Sequence, residues 1–257
     1  KGGTILGTAR STEFTKKEGQ QRAAQILSDY GIEGLIVIGG DGSLKGAKAL
    51  SDLGIKTVGI PGTIDNDMGY TDFTIGFFTA METVSDAIGK LRDTSSSHGR
   101  AVVVEVMGRN CGDLALYSGL AGGAESIIVP EHEFSIDDIV EKMEHGKKRG
   151  KLHHLITLAE GVGDPYSIAR ELEEKTGIET KVTVLGHVQR GGSPSVADRL
   201  LGSTMGARAV ELLGEEKTNL AIGYVDGKLV EVNIEDAVNK ESQFDEQLYE
   251  LANTLSK

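Results

Sequence analysis

One cysteine, four prolines and no tryptophan stand in a chain of 257 residues. The lone Cys111 excludes an intrachain disulfide and fits a reducing compartment. No apolar run approaches the ~18 residues that a membrane span needs. The start carries no signal-peptide pattern, so a cytoplasmic protein is expected. There is no Gly/Ser linker, no low-complexity segment and no repeat of fixed period. An excess of positive charge is missing too. The formal net charge is −12, which argues against nucleic-acid or membrane binding. A local arginine cluster can still hold a phosphate on an acidic chain.

Glycine is plentiful: 35 residues, about twice the usual ~7% share. These glycines sit inside motifs, which suggests backbone packed close to ligands rather than disorder. The length suffices for one large α/β domain or two modest ones.

Apolar runs alternate with amphipathic stretches. Strands are predicted over 34–38, 57–60, 101–106, 126–129, 155–159 and 182–185, and helices over 19–29, 44–53, 79–93, 112–121, 136–148, 166–175 and 196–213. Ser135 followed by Asp138 reads as a capping box. Val225-Asp226-Gly227-Lys228 between two apolar runs reads as a hairpin. The alternation implies an α/β fold whose mostly parallel sheets are covered on both faces.

Ligands of such sheets gather at the carboxyl ends of strands, and four clusters sit there. In Gly39-Gly40-Asp41-Gly42-Ser43 the glycines let backbone amides approach an anion, and the following helix N-terminus favours negative charge. An acid there is repelled by phosphate unless Mg²⁺ lies between them. The plain alternative is a tight turn with Asp41 as helix cap. In Pro61-Gly62-Thr63-Ile64-Asp65-Asn66-Asp67, one carboxylate can serve as a base and the other can support metal-bound water; a loop cap is the alternative. The third cluster is Glu105-Val106-Met107-Gly108-Arg109-Asn110, with Arg100 just before its strand. The fourth is Gly186-His187-Val188-Gln189-Arg190-Gly191-Gly192-Ser193-Pro194. Arginine forks suit phosphate oxygens, although surface ion pairs would also explain any single one.

The stretches GGDGS, PGTIDND, TIGF-TA, VEVMGR, AEGVG and VTVLGHVQRGGSPS-ADR follow the order and spacing of bacterial-type ATP-dependent 6-phosphofructokinases. The resemblance runs from residue 1 to the C-terminus. GGDG alone also occurs in NAD kinases and diacylglycerol kinases, but six motifs in order are specific.

The resemblance implies two Rossmann-like three-layer α/β/α lobes: an ATP lobe from 1–76 plus 189–239 and a sugar-phosphate lobe from 77–188 plus 240–257. It implies a glycolytic kinase that transfers the γ-phosphoryl of MgATP to the 1-hydroxyl of fructose 6-phosphate. Asp65 would accept the hydroxyl proton, with Thr63 and Arg109 near the transferring phosphoryl and Asp41 serving Mg²⁺. Arg10, Ser11, Phe14, Gly40, Asp41, Gly42, Ser43 and Gly46 would hold ATP. Ile64, Met107, Gly108 and Glu160 would contact the sugar. Arg100, Lys181, His187 and Arg190 would hold its phosphate, with Arg100 and Lys181 reaching across from a neighbour in a homotetramer. An allosteric ADP or GDP, or phosphoenolpyruvate, would bind near Arg92, Gly123, Ala124, Glu125, Arg149, Lys151, Leu152 and His153.

Pyrophosphate users of this family typically carry Asp and Lys where this sequence has Gly42 and Gly62, so ATP is the expected donor. A pyrophosphate-dependent kinase, another sugar-phosphate kinase or a fragment that only binds sugar phosphate are the alternatives. The sequence departs from the family in lacking the first strand of the ATP lobe and its GGD-PG turn. Phe78 replaces a usual Asp, Lys181 a usual Arg, and Ser11-Thr12 a pair that usually contains Pro.

Overall fold

The computed structural model describes residues 2–151 and 153–256. Along the chain run α1 (Lys17–Asp29), β1 (Gly34–Gly39), α2 (Asp41–Asp52), β2 (Lys56–Thr63), β3 (Ile75–Gly76) and α3 (Phe77–His98). Next come β4 (Ala101–Val106), α4 (Asp113–Gly122), β5 (Ser126–Ile128), α5 (Ile136–Lys148), β6 (His154–Ala159), α6 (Pro165–Thr176) and β7 (Thr180–Val184). A short 3-10 helix, Gly186–Arg190, leads to α7 (Val196–Gly214), β8 (Leu220–Val225), β9 (Lys228–Asn233), α8 (Ile234–Asn239) and α9 (Glu246–Leu255). The structure is α/β with mostly parallel sheets.

These residues form two compact units. The first comprises Lys1–Thr63, Asp67–Gly76 and Pro194–Gln243; the second comprises Ile64–Asn66, Phe77–Ser193 and Phe244–Lys257. The late crossing falls after Ser193 rather than at 189, because Gln189 is tied into the second unit. Its buried side chain accepts from the Met107 N–H and donates to the Gly186 carbonyl.

In the first unit the strand order is β1-β2-β8-β9, with β3 paired to β2. Successive side chains of a strand face opposite sides, and the packing follows that rule. Val37 and Ala221 join Leu44, Ala47, Ile234 and Ala237 from α2 and α8. Their neighbours Ile36 and Ile222 join Leu201, Met205, Ala209 and Leu212 from α7. The hairpin between β8 and β9 turns on Asp226 (φ 49°) and Gly227 (φ 77°), the positive pair that a twisted two-residue turn requires.

In the second unit the order is β5-β6-β4-β7, all parallel. Val103, Ile156 and Leu158 pack with Ile139, Met143, Ile168 and Leu172 from α5 and α6. Helix α4 contacts β5 and β6, and α3 contacts β4. Helix α4 is buried nearly all round, so its sequence shows no polar face.

Candidate active site

The first unit gathers the residues expected around a nucleotide. Strands β1 and β2 pair in parallel with Ile38 beside Ile60 and Gly39 beside Pro61, so both carboxyl ends open at one edge. A Cβ added at Gly40 would lie 3.7 Å from the Thr63 Cβ. Asp41 is the first residue of α2, and Gly40 is its cap position. The Asp41 carboxylate accepts from Lys45 Nζ at 2.7 Å, so the capping role considered above is not the one it takes.

A Cβ at Gly42 would meet nothing within 4 Å, whereas one at Gly62 would lie 3.1 Å from Ile38 Cγ2. Ser43 donates its N–H to the Gly40 carbonyl. The Phe14 ring covers Gly46, where a Cβ would approach Phe14 Cε1 to 3.1 Å. Ser11 Oγ accepts the Phe14 N–H, while Arg10 is exposed in the segment before α1. Among the described residues no three His, Cys, Asp or Glu side chains gather into a metal cage. Mg²⁺ bound to nucleotide suits one carboxylate plus phosphate oxygens, and Asp41 beside side-chain-free Gly40 and Gly42 fits that pattern.

The second unit gathers the residues expected around a sugar. Glu160 Oε1, just past β6, accepts the N–H groups of Arg109 at 2.7 Å and Gly108 at 3.3 Å. It therefore holds a strained turn, since Arg109 has φ 61° and Gly108 φ 148°. A side chain at residue 108 is excluded, because its Cβ would sit 2.4 Å from the Cys111 carbonyl oxygen. Burial pushes the Glu105 carboxyl up, helped by the like charges of Glu160 and Asp164. Gln189 links the end of β4 to the 3-10 turn that carries exposed His187 and Arg190.

Asp65 belongs to this unit through the excursion Ile64–Asn66. Its neighbour Asn66 (φ 54°) donates from Nδ2 to Asp113 Oδ2 at 2.8 Å. Phe78 packs edge-on against Phe77.

Arg100 and Lys181 stand elsewhere. They sit at the amino ends of β4 and β7, where Ala101 pairs with Thr180, and Met107–Arg109 follow the other end of β4. Both cations engage one carboxylate, Glu179: Arg100 through Nε, Lys181 through Nζ at 2.7 Å. These two cations pull the Glu179 carboxyl down, Lys181 most.

The expected effector residues form contacts of their own. Buried Glu125 pairs with Lys151 Nζ at 2.6 Å and accepts the Leu155 N–H. His153 Nδ1 meets Ser96 Oγ at 2.9 Å. Arg92 Nη2 lies where a Gly123 Cβ would be 2.8 Å away, and it has no hydrogen-bond partner among the described residues. Ala124 is buried, Arg149 closes α5, and Leu152 lies outside the described residues.

The sequence alone assigns no role to Gln189, Asn66, Asp113 or Glu179. Each works through a partner distant along the chain, and only the QR and DND spellings hinted at the first two.

The Phosphofructokinase family profile matches residues 1–213. The chain belongs to the phosphofructokinase family. It is 66% identical over 256 residues to the ATP-dependent 6-phosphofructokinase of Finegoldia magna, covering 100% of this chain and 80% of that protein. It is 62% identical to the enzyme of the same name from Clostridium tetani, with the same coverage. The phosphofructokinase of Saccharomyces cerevisiae matches with TM-score 0.86 and 34% identity over 99% of this chain and 37% of that one. A pyrophosphate-dependent phosphofructokinase from Marinobacter aquaeolei shares the fold, with TM-score 0.82 at 23% identity over 95% of this chain and 68% of that one. No helix among the described residues is long and apolar enough to cross a membrane.

Proposed function

We propose that this phosphofructokinase transfers the γ-phosphoryl of MgATP to the 1-hydroxyl of fructose 6-phosphate, giving fructose 1,6-bisphosphate and ADP, as a cytoplasmic glycolytic kinase. The observation that carries this reading is the meeting of Gly40 with Thr63 at the carboxyl ends of β1 and β2, two residues before Asp65. The turn that would cradle phosphate thus lies beside Thr63, and Asp65 follows Thr63 by two residues along the chain.

The α2 N-terminus and the side-chain-free Gly40 and Gly42 receive the nucleotide phosphates. Phe14 lies over Gly46 to take the adenosine side. Asp41 would hold Mg²⁺ together with the nucleotide phosphate oxygens, and the ion would supply charge neutralisation there. Glu160 keeps the 108–109 turn in place, which presents Arg109 to the phosphoryl oxygens and Met107 and Gly108 to the sugar. Asp65 takes the hydroxyl proton. A carboxylate is a far weaker base than an alkoxide, so it accepts that proton late, as the loose transition state collapses onto the oxygen. Most of the acceleration is positioning and charge stabilisation. Gly42 and Gly62 leave out the Asp and Lys of pyrophosphate users, which favours ATP.

His187 and Arg190 take the sugar phosphate from within the chain. Strand β4 has six residues, about 20 Å at ~3.3 Å each, too long for Arg100 to join them from the same copy. Arg100 and Lys181 would then serve a neighbouring copy in a homotetramer of closed symmetry. The unpartnered Arg92 Nη2 beside Gly123 suits an anionic effector such as ADP, GDP or phosphoenolpyruvate.

Asp65→Asn in the full-length protein tests the central assignment. Expected is a kcat lower by roughly 10²–10⁴ with little change in sugar affinity; a near-wild-type kcat would remove Asp65 from this role. Mixed oligomers of Arg100→Ala and Asp65→Asn chains should regain activity if the sites are shared.

A further inference from the structure

Asn66 and Asp113 are among the most enclosed polar side chains of the second unit, 5% and 6% exposed. Asn66 Nδ2 donates to Asp113 Oδ2 at 2.8 Å. The Cys111 thiol lies 4.0 Å from the Asn66 carbonyl oxygen and also meets the Asp113 carboxylate. Residue 66 adopts φ 54°, the left-handed region that asparagine enters more readily than most L residues.

Asp113 is itself fixed. It opens α4, and the preceding Gly112 donates its N–H to Glu131 Oε1 at 2.8 Å. A Cβ at residue 112 would lie 2.5 Å from the Val129 Cβ, so loop and helix start are packed tight. The stretch 107–113 therefore carries Met107, Gly108 and Arg109 at one end and grips Asn66 with the other. Asp65 is the next residue along the chain from Asn66.

We propose that Asp113 is a positioning residue for phosphoryl transfer: by holding the Asn66 side chain it fixes the peptide that aims the Asp65 carboxylate. The proposal rests on reading Asp65 as the proton acceptor. A buried carboxylate at a helix start is costly unless it has partners, and this one spends a lone pair on a side chain whose only chain neighbours are Asp65 and Asp67. Simple core filling would be served as well by an apolar pair.

The test is a double-mutant cycle in the full-length protein. Asp113→Ala should lower kcat about 10- to 100-fold, the scale of a small misplacement of a reacting group, with KM for fructose 6-phosphate within about twofold. Asp113→Asn should keep most of kcat, because an amide oxygen also accepts from Asn66. In an Asp65→Asn background, Asp113→Ala should cost nothing further, since there is no base left to aim. Asn66→Gly tolerates the φ 54° backbone yet deletes the tether, so its kcat should fall like that of Asp113→Ala. It also carries the test if Asp113→Ala does not fold. A loss in Asp65→Asn combined with full additivity, or a near-wild-type kcat in Asn66→Gly, would overturn the tether alone. Near-wild-type kcat in Asp65→Asn would overturn the base and the tether together.

Discussion

Glu160 Oε1 stands 2.7 Å from the backbone nitrogen of Arg109 and receives its N–H. The same oxygen takes the Gly108 N–H, so one carboxylate satisfies two amides of a left-handed turn. Hydrogen bonds to an ionised acceptor are stronger than neutral ones. Glu160→Ala should lower kcat about 100-fold by freeing Arg109. Glu160→Gln, which keeps an acceptor oxygen, should lose much less. Steady-state kinetics with both variants checks this; equal losses would mean that the charge acts on the sugar instead.

Glu179 sits between Arg100 and Lys181 and offsets their charge. Glu179→Gln leaves the two cations with a neutral neighbour. KM for fructose 6-phosphate should fall by about 1.5- to 5-fold, in line with the modest worth of exposed ion pairs. The gain should fade as salt is added. Initial rates at low and high ionic strength measure both effects, and a raised KM would show that Glu179 orients the cations instead.

Gly46 lies inside α2, where alanine is a better helix former by about 1 kcal/mol. Its Cβ would nonetheless come 3.1 Å from the Phe14 ring. Gly46→Ala should leave Tm unchanged or higher while raising KM for ATP several-fold, with KM for the sugar unaltered. Calorimetry beside ATP titration separates the two effects.

The boundaries of β4 and α5 are read from sequence to the residue, because an unbroken apolar run and a Ser135 cap mark them; Ser135 Oγ accepts the Asp138 N–H. Helix α3 instead continues past residue 93 to His98 through a polar stretch that looks like loop. Ser95 is buried there and bonds back to the Leu91 carbonyl. The predicted helices do not include α8, which has only six residues, or α9, although Asn233 and Asp245 cap them. Helix α2 begins at Asp41, not residue 44, since glycines mask the first turn. The positions of Gly40–Ser43 and Met107–Arg109 after β1 and β4 are legible in the sequence, because each apolar run ends where its motif begins. The grip of Asp113 on Asn66 and of Gln189 on Met107 is not, because each depends on partners many residues away.

His154 is buried against Ser126 Oγ, and burial pulls its imidazole down from 6.5 to about 4. The stability held by the neutral ring is present above pH 6.5 and is lost as pH falls through about 4. The loss is on the order of 3 kcal/mol. His154→Gln should flatten this acid limb in urea unfolding between pH 7 and 4; an unchanged limb would assign it to other groups.

Asp113 titrates in the opposite sense. Burial raises its carboxyl from 3.8 to about 6, with Glu131 adding repulsion and Asn66 opposing. The favourable contribution of its protonated form is complete below pH 3.8 and is lost as pH rises through about 6. Asp113→Asn, which cannot ionise, should therefore gain stability relative to the parent between pH 4 and 7, by an amount on the order of 3 kcal/mol. Unfolding midpoints at those two pH values measure it; a constant difference would mean that Asp113 does not titrate in this range.

The parallel pairing of Val58 with Leu220 joins strands from opposite ends of the sequence. Between them the chain makes Phe77–Ser193, nearly all of the second unit. From Gly59 to Leu220 the ribosome adds about 160 residues, roughly 8–32 s at the usual ~5–20 residues per second. Throughout that interval the Val58–Gly59 edge of β2 waits for its neighbour, while β5, β6, β4 and β7 can already assemble. The sheet that holds β1 and β2 is begun before the β5-β6-β4-β7 sheet and completed after it.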